Sequence, residues 1–177
     1  MPRGSFEEVV LPHLDAAYNY ARWLTKSDAD ADDVVQDAYV RAYRFFSSLR
    51  DENARAWLLT IVRNTWYSRF PKRVSSEPTQ VFDEMTDDRP DDGLDPEALL
   101  IQQQVVEKVR RAVEELPVDY REVIVLRELE GMSYKEIAAV AGIPIGTVMS
   151  RLARARERLL PILEPAAAST GVSRELS

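Results

Sequence analysis

Residues 131–142, GMSYKEIAAVAG, constrain the fold more than any other part of the chain. Ser133 followed three positions later by Glu136 is a capping box, in which hydroxyl and carboxylate each satisfy a free backbone N–H at a helix start. Gly131 stands just before it, where the C-cap of a preceding helix calls for positive φ. Gly142 closes the new helix after about two turns and makes the next turn. Ile137, Ala138 and Ala141 fall on its inner face, and the two alanines let a second helix cross closely. The flanking segments are helical too. Val118 to about Glu130 turns Val123, Ile124 and Leu126 inward, and a final helix from near Pro144 to about Leu163 turns Ile145, Val148, Leu152, Ala155 and Leu159 inward. Residues 116–160 therefore read as a helix-turn-helix.

The outer side of the final helix carries Ser150, Arg151, Arg154 and Arg158, with Thr147 near its start. Between Arg151 and Arg158 four arginines face one glutamate, a local charge of +3. Arginine pairs bidentately with guanine in the major groove, and hydroxyls contact bases or phosphates. The pattern points to double-stranded DNA, against the blander reading of solvated arginines on a surface helix. The net charge of −7 does not oppose this. Residues 1–70 sum to −1, residues 71–97 to −6 and residues 98–177 to zero. Nearly all the excess acid lies in one stretch, and a phosphate backbone senses local charge.

Three more helices precede that stretch. The first runs from Phe6 to Thr25 behind a Ser5 cap, with Pro12 bending it or delaying its start. The second follows caps at Ser27, Asp28 or Asp30 and ends near Phe46, with Val34, Val35, Ala38, Ala42 and Phe45 at helical spacing. The third runs from Ala54 to about Phe70, with Trp57, Leu58, Ile61, Val62 and Thr65 as its buried stripe, and Pro71 stops it. Residues 71–95 are rich in Pro, Ser and Asp without apolar period and read as a flexible, self-repelling acidic linker. Asp95 caps and Pro96 opens a helix that reaches about Leu116. The expected class is all-α: two small helical domains, 1–70 and 96–163, a linker over 71–95 and a tail over 164–177.

Several chemistries are disfavoured. The chain contains no cysteine, hence no disulfide, thiolate metal site or cysteine nucleophile. His13 is the sole histidine and has no carboxylate cluster beside it, so neither a metal nor a catalytic role is expected. The acidic linker lacks calcium-loop spacing. No cofactor is expected. The N-terminus does not read as a secretory signal, and no run suits a membrane span, so a cytoplasmic protein without membrane insertion is expected. In the third helix Trp57, Trp66, Tyr67 and Phe70, with Tyr43 from the second, stand among Arg63, Asn64, Arg69, Lys72 and Arg73. Aromatic and basic residues interleaved in this way hold unstacked bases. Trp57 is assigned to the core. Trp66 and Phe70 lie off its line and are open to solvent exposure.

Assembled in this order, the chain resembles RNA polymerase sigma factors of the extracytoplasmic-function (ECF) group. The resemblance rests on DADDVVQDAYVRAYRFF and WLLTIVRNTWYSRF in the first half, and on LPVDYREVIVLRELEGMSYKEIAAVAGIPIGTVMSRLARARERL in the second. It implies a factor that binds core RNA polymerase, at the largest-subunit clamp helices and the flap, and directs initiation at promoters through their −35 and −10 elements. Within DDVVQ the polymerase contact would fall on Asp33, Val35, Gln36 and Asp37, with a core Val35 and a solvated acidic face as the plainer alternative. The loop Ser47 to Asn53, with Ser48, Leu49 and Arg50, would capture a flipped −10 base, and Arg63, Asn64 and Trp66 would read the melted strand. The −35 contacts would fall on Arg127, Thr147, Met149, Ser150, Arg151, Ala153 and Arg154, although Arg127 is also free to pair with a nearby glutamate. An anti-sigma partner is expected for the group.

The sequence departs from the family at Met149, where Lys or Arg is frequent, and at Ser68, where aspartate is frequent. No fused sensor domain is expected. A self-sufficient dimeric regulator would explain the helix-turn-helix but not DDVVQ or the aromatic third helix. A sigma mimic would need a receiver domain.

Overall fold

The computed structural model describes residues 4–50, 53–71 and 96–168, the side chains of the last six residues excepted. Almost all of the expected linker, the Asp95 cap and the end of the tail lie outside those residues. Every regular element among the described residues is helical.

α1 (Phe6–Val9) starts on a Ser5–Glu8 capping box and stops almost at once, because Pro12 turns Leu11–His13 into a 3₁₀ segment. α2 (Leu14–Thr25) ends on Lys26 in the left-handed region at φ 58°. Ser27 then caps α3 (Asp28–Arg44), and Asn53 caps α4 (Ala54–Arg69) by accepting the Ala56 N–H at 3.1 Å. α2, α3 and α4 pack on one another through small residues, with Ala17, Ala21, Ala31, Ala38 and Ala42 all fully buried. Leu58, Leu59, Val62 and Trp66 fill the space between them. The buried stripe of α4 is thus rotated from the expected one: Leu58, Val62 and Thr65 are buried, while Trp57 and Ile61 are only half-buried.

The second half comprises α5 (Pro96–Glu115), α6 (Val118–Ile124), α7 (Tyr134–Ala141) and α8 (Ile145–Ala168). The segment expected to be one helix to Glu130 changes character at Val125–Leu129, where it widens into a π-helical turn. The Glu130 N–H bonds Val125 O, five residues back, at 3.2 Å. Gly131 and Gly142 both adopt left-handed φ, 63° and 67°, as the two turns require. The capping box forms as expected, with the Glu136 N–H on Ser133 Oγ at 3.1 Å and the Ser133 N–H on Glu136 Oε1 at 3.0 Å. One expected core position is wrong. Ile145, in the first turn of α8, is 46 % exposed, whereas Val148, Leu152, Ala155 and Leu159 are buried as expected.

The two halves pack against each other, α2 on α6 and α4 on α7, and their buried apolar residues form one continuous cluster. Polar bonds rim the contact. Asn53 Nδ2 donates to Glu136 Oε2 at 2.8 Å, and Arg55 Nη1 donates to Glu130 O at 2.9 Å. The Asn53 hydrogen bond, reinforced by the Ser133 N–H, holds the Glu136 carboxyl below the usual glutamate range. Among the described residues no single helix is long and apolar enough to cross a membrane.

Ser133→Ala removes one side of the capping box and should cost about 1 kcal/mol. In a chain of this size that lowers the thermal midpoint by roughly 2–4 °C. Glu136 generates a pH prediction. A depressed folded-state pKa contributes stability that is whole above the unfolded-state value, near ~4.3, and is lost as pH falls through the lower folded value. The stability gap between wild type and Glu136→Gln should therefore be widest near neutrality and shrink on acidification. Thermal unfolding of both proteins across pH 7 to 3 checks this, and a gap independent of pH would refute it.

Candidate nucleic-acid interface

α8 presents its expected outer face. Met149, Ser150, Ala153 and Arg154 are exposed, and Thr147 and Arg151 are half-buried. The arginines are not equivalent. Arg151 lies 3.9 Å from Asp119, Arg156 pairs with Glu128 at 3.1 Å, and the Arg158 guanidinium sits 4.9 Å over the Tyr120 ring. Among the described residues Arg154 forms no ion pair, so its fork is free for an external acceptor. Ser150 Oγ donates back to Gly146 O at 3.0 Å, which leaves its lone pairs outward.

Arg127 does not take the glutamate that its sequence neighbourhood offers. Its Nη1 donates to Met132 O at 2.8 Å and its guanidinium stacks 4.8 Å over Tyr134. The π-helical turn thus aims Arg127 into the turn of the motif, half-buried and pre-positioned, with donors remaining.

On α4, Asn64 is exposed, and Ser48 and Arg50 of the preceding loop are exposed as well. Ser48 Oγ donates to Phe45 O at 2.6 Å. Asp51 and Glu52 lie outside the described residues. Two of the expected −10 residues are buried. Trp66 is 1 % exposed, on the α4 face turned into the core beside Val62, with Tyr67 edge-on at 5.0 Å. Leu49 is 2 % exposed. Trp66 on an exposed aromatic face is therefore corrected to a core residue, and Phe70 is half-buried.

On α3, Asp33 and Gln36 are exposed, Asp37 and Val35 are half-buried, and Val34 is the core valine of the pair. Arg69 of α4 lies 3.7 Å from Asp33 and 4.0 Å from Asp37 and orients both acids. Val40, at 51 % exposed, continues the same stripe at positions 33, 36, 37 and 40. It was missed because an apolar residue at helical spacing reads by default as core.

The sequence also gave no sign of the polar centre between the halves. Arg121 and Glu122 on α6 are each 1 % exposed. Arg121 donates to the C-terminal carbonyls of α2, at 2.8 Å to Trp23 O and 3.4 Å to Leu24 O, and to Leu116 O at 2.9 Å beyond the end of α5. Glu122 accepts from Tyr20 Oη at 2.7 Å and forms a short ion pair with Arg63 Nε of α4. Arg63 also donates to Tyr67 Oη at 3.0 Å and stacks on that ring. Burial and then the neighbouring Glu122 push the Tyr20 hydroxyl well up. Burial opposes the Arg63 charge, but Glu122 outweighs it and the guanidinium is held more firmly protonated. Residues 121–126 are all buried, so this stretch, charged pair included, is covered on every side. Among the described residues no cluster of His, Asp and Glu could hold a metal ion.

Residues 9–75 match the family model for sigma-70 region 2, and residues 106–159 match that for sigma-70 region 4. The ECF RNA polymerase sigma-E factor of Escherichia coli K12 is 37 % identical over 143 residues, covering 77 % of this chain and 75 % of that protein. The ECF sigma factor SigE of Mycolicibacterium smegmatis is 29 % identical over 169 residues, 96 % of this chain and 65 % of that protein. Among solved structures, the sigma factor RpoE of Bartonella quintana, in complex with the anti-sigma factor NepR, superposes with a TM-score of 0.70 at 33 % identity. That match covers 90 % of this chain and 96 % of the other. CnrH, in complex with the cytosolic domain of CnrY, superposes with a TM-score of 0.59 at 29 % identity, over 90 % of this chain and 88 % of the other. Two sigma-70 regions in the right order, on two bundles that present these faces, establish the conclusion: this chain belongs to the ECF group of RNA polymerase sigma factors, which direct promoter-specific transcription initiation.

Proposed function

We propose a residue-level division of this work. The unit around 96–163 reads the −35 element in the duplex through Arg127, Thr147, Met149, Ser150, Arg151, Ala153 and Arg154. Arg154 carries the reading: it is exposed at the centre of the outer face of α8, where its neighbours in the groove would be Ser150 and Ala153. Met149 supplies an apolar contact suited to a thymine methyl in place of a cation. The unit 1–70 reads the −10 element with Ser48, Arg50 and Asn64, whose amide offers both a donor and an acceptor to a base edge bared by melting. Arg63 supplies a cation to the same strand once it is released. Leu49 and Trp66 are buried and contribute to this unit's packing rather than to base contact.

The polymerase clamp helices meet the stripe Asp33, Gln36, Asp37 and Val40, with Val35 partly beneath it, and the flap holds the second unit. Polymerase makes and breaks the covalent bonds, so this chain has no catalytic task. It works in the cytoplasm, where polymerase and chromosome are. An anti-sigma factor is a further partner. In its support, both halves of this chain fall within the length matched by the Bartonella sigma factor that was solved with one.

Arg154→Ala should weaken holoenzyme binding to a promoter carrying the matching −35 base by about 1–3 kcal/mol, and much less when that base is changed. Competition binding on both promoters measures the difference. Equal losses would reduce Arg154 to a phosphate contact. Asp33→Ala should lower apparent affinity for core polymerase without changing the −35 preference, as read by core titration in run-off transcription.

A further inference from the structure

Phe6 of α1 is 8 % exposed and stands at the centre of an aromatic cluster beside the loop assigned to the −10 element. Its ring centroid lies 5.1 Å from Tyr39, 5.3 Å from Tyr43 and 5.5 Å from Phe46, at interplanar angles of 80°, 84° and 90°. Edge-to-face pairs set a positive ring edge against a negative ring face, so they fix ring orientation as well as distance. Tyr39 and Tyr43 stand one turn apart on α3, and Phe46 opens the 3₁₀ turn Phe46–Ser48 that follows. One side chain from another element therefore braces both the end of α3 and the start of the loop. Phe46 is half-buried, while Tyr43 remains exposed. The backbone of the loop hangs on the same place. Phe45 O accepts from the Ser48 N–H at 2.9 Å and from the Ser48 hydroxyl at 2.6 Å, and Phe46 O accepts from the Leu49 N–H at 3.1 Å. Leu49 then turns extended, at φ −65° and ψ 107°, and Arg50 emerges exposed.

We propose that Phe6 is a positioning residue for −10 recognition: it holds Phe46, and with it the carbonyls on which the turn closes, so that the loop presents Ser48 and Arg50 in one geometry to an unpaired base. This rests on the reading of that loop as part of the −10 reader and deepens it. Phe6 is buried and has no polar side-chain atom, so its effect on promoter choice passes through the loop. A loop already ordered loses little freedom when a base docks, whereas one that samples several arrangements sets an ordering cost against each new contact. A loose loop also discriminates less, because donors and acceptors that are not held in place accommodate more than one base edge. The element that carries Phe6 depends on the same packing. A four-residue helix is too short to persist alone. α1 is held by its Ser5–Glu8 capping box, with hydrogen bonds of 3.2 and 3.3 Å, and by the buried side chains of Phe6 and Val10.

Two variants of the full-length chain test this. Phe6→Ala removes the three ring contacts, and Phe6→Leu keeps an apolar side chain without a ring. Amide hydrogen exchange at Ser48 and Leu49 should speed up about 10-fold in Phe6→Ala and less in Phe6→Leu, with the central amides of α4 far less affected. With core polymerase at saturation, run-off yield is compared between a promoter carrying the matching −10 base and one with that base changed. The ratio should fall about 3- to 10-fold in Phe6→Ala, while the corresponding −35 ratio stays at the wild-type value. A wild-type −10 ratio in folded Phe6→Ala would overturn the proposal. So would exchange accelerated equally throughout α2, α3 and α4, which would assign Phe6 to general stability. Should Phe6→Ala lose its helical circular dichroism, Phe6→Leu decides: it must lower the −10 ratio and speed the Ser48 and Leu49 amides, and an unchanged ratio overturns the proposal. Failure of the underlying reading has its own signature, in that Ser48→Ala and Arg50→Ala would both leave the −10 ratio intact. That result would remove the role in recognition, while the exchange rates would still decide whether Phe6 holds the loop.

Discussion

A glutamate taken out of water between two helical bundles is the interaction on which the packed form depends. Removing a carboxylate from water costs several kcal/mol, and that cost is offset only where good geometry and further hydrogen bonds meet it. Glu122 has both, through Arg63 on one side and the Tyr20 hydroxyl beneath. Its neighbour Arg121 solves the opposite problem, satisfying carbonyls left open at the end of α2 and just past the end of α5. A charged residue of each sign, side by side, ties α6 to both bundles. Buried ion pairs are poor sources of net stability but steep penalties when half broken. The contact therefore specifies one arrangement of the halves without making that arrangement permanent. Nor is it a proton switch near neutrality. The Tyr20 hydroxyl is pushed up and the Arg63 guanidinium is held charged, so both keep their protons across the physiological range.

The helix-turn-helix shows a related economy. Arg151, Arg156 and Arg158 each have a local partner, and those partners hold side chains that would otherwise lose several rotamers on docking. Exposed pairs of this kind contribute little to stability, so a phosphate can exchange for the glutamate or aspartate at small cost. Arg127 is pre-positioned more firmly, by a carbonyl and a ring. The charge that reaches solvent unpaired is thus small. The isolated motif is suited to modest, salt-sensitive binding and leaves the rest of the affinity to polymerase.

How much of this was legible in the sequence divides along the range of the forces. Caps at Ser5, Ser27 and Ser133, the stop at Pro71 and the left-handed glycines are decided within four residues, so the helix ends they set could be read to within a residue or two, whereas the last helix, with no such signal near Leu163, runs on to Ala168. The inner face of α8 followed from its period for the same reason. Trp66, Leu49 and Ile145 were misjudged because their burial depends on where a neighbouring helix ends, which no local period records. Trp57 and Trp66 are nine residues apart on one helix, and only the placement of α2 and α3 decides which of them faces inward. Arg121 and Glu122 were invisible for a deeper reason. Charged residues in a run of apolar ones normally mark the wet face of a helix, and apart from the carbonyls near the end of α5 their partners lie 97 or more residues away in Leu24, Trp23 and Tyr20, or 59 away in Arg63.

The tether bears on the contact between the halves. That contact joins buried apolar residues to a polar rim, and two separate proteins forming it would first have to offset the translational and rotational freedom lost on association. Joined by 24 residues, the halves meet at an effective concentration on the millimolar scale, which favours the contact over association of separate proteins. The same segment, extended, lets the halves engage two distant DNA elements as one ligand. Linker length is therefore a compromise: a shorter one would favour closure and fail to span, and a longer one would span while weakening both closure and joint binding. The acidic composition of residues 71–97 bears on that balance, since like charges extend a chain and repel DNA phosphate. Excess acid placed there, away from α4 and α8, opposes premature DNA binding by the free factor without diluting the positive faces that promoter recognition needs.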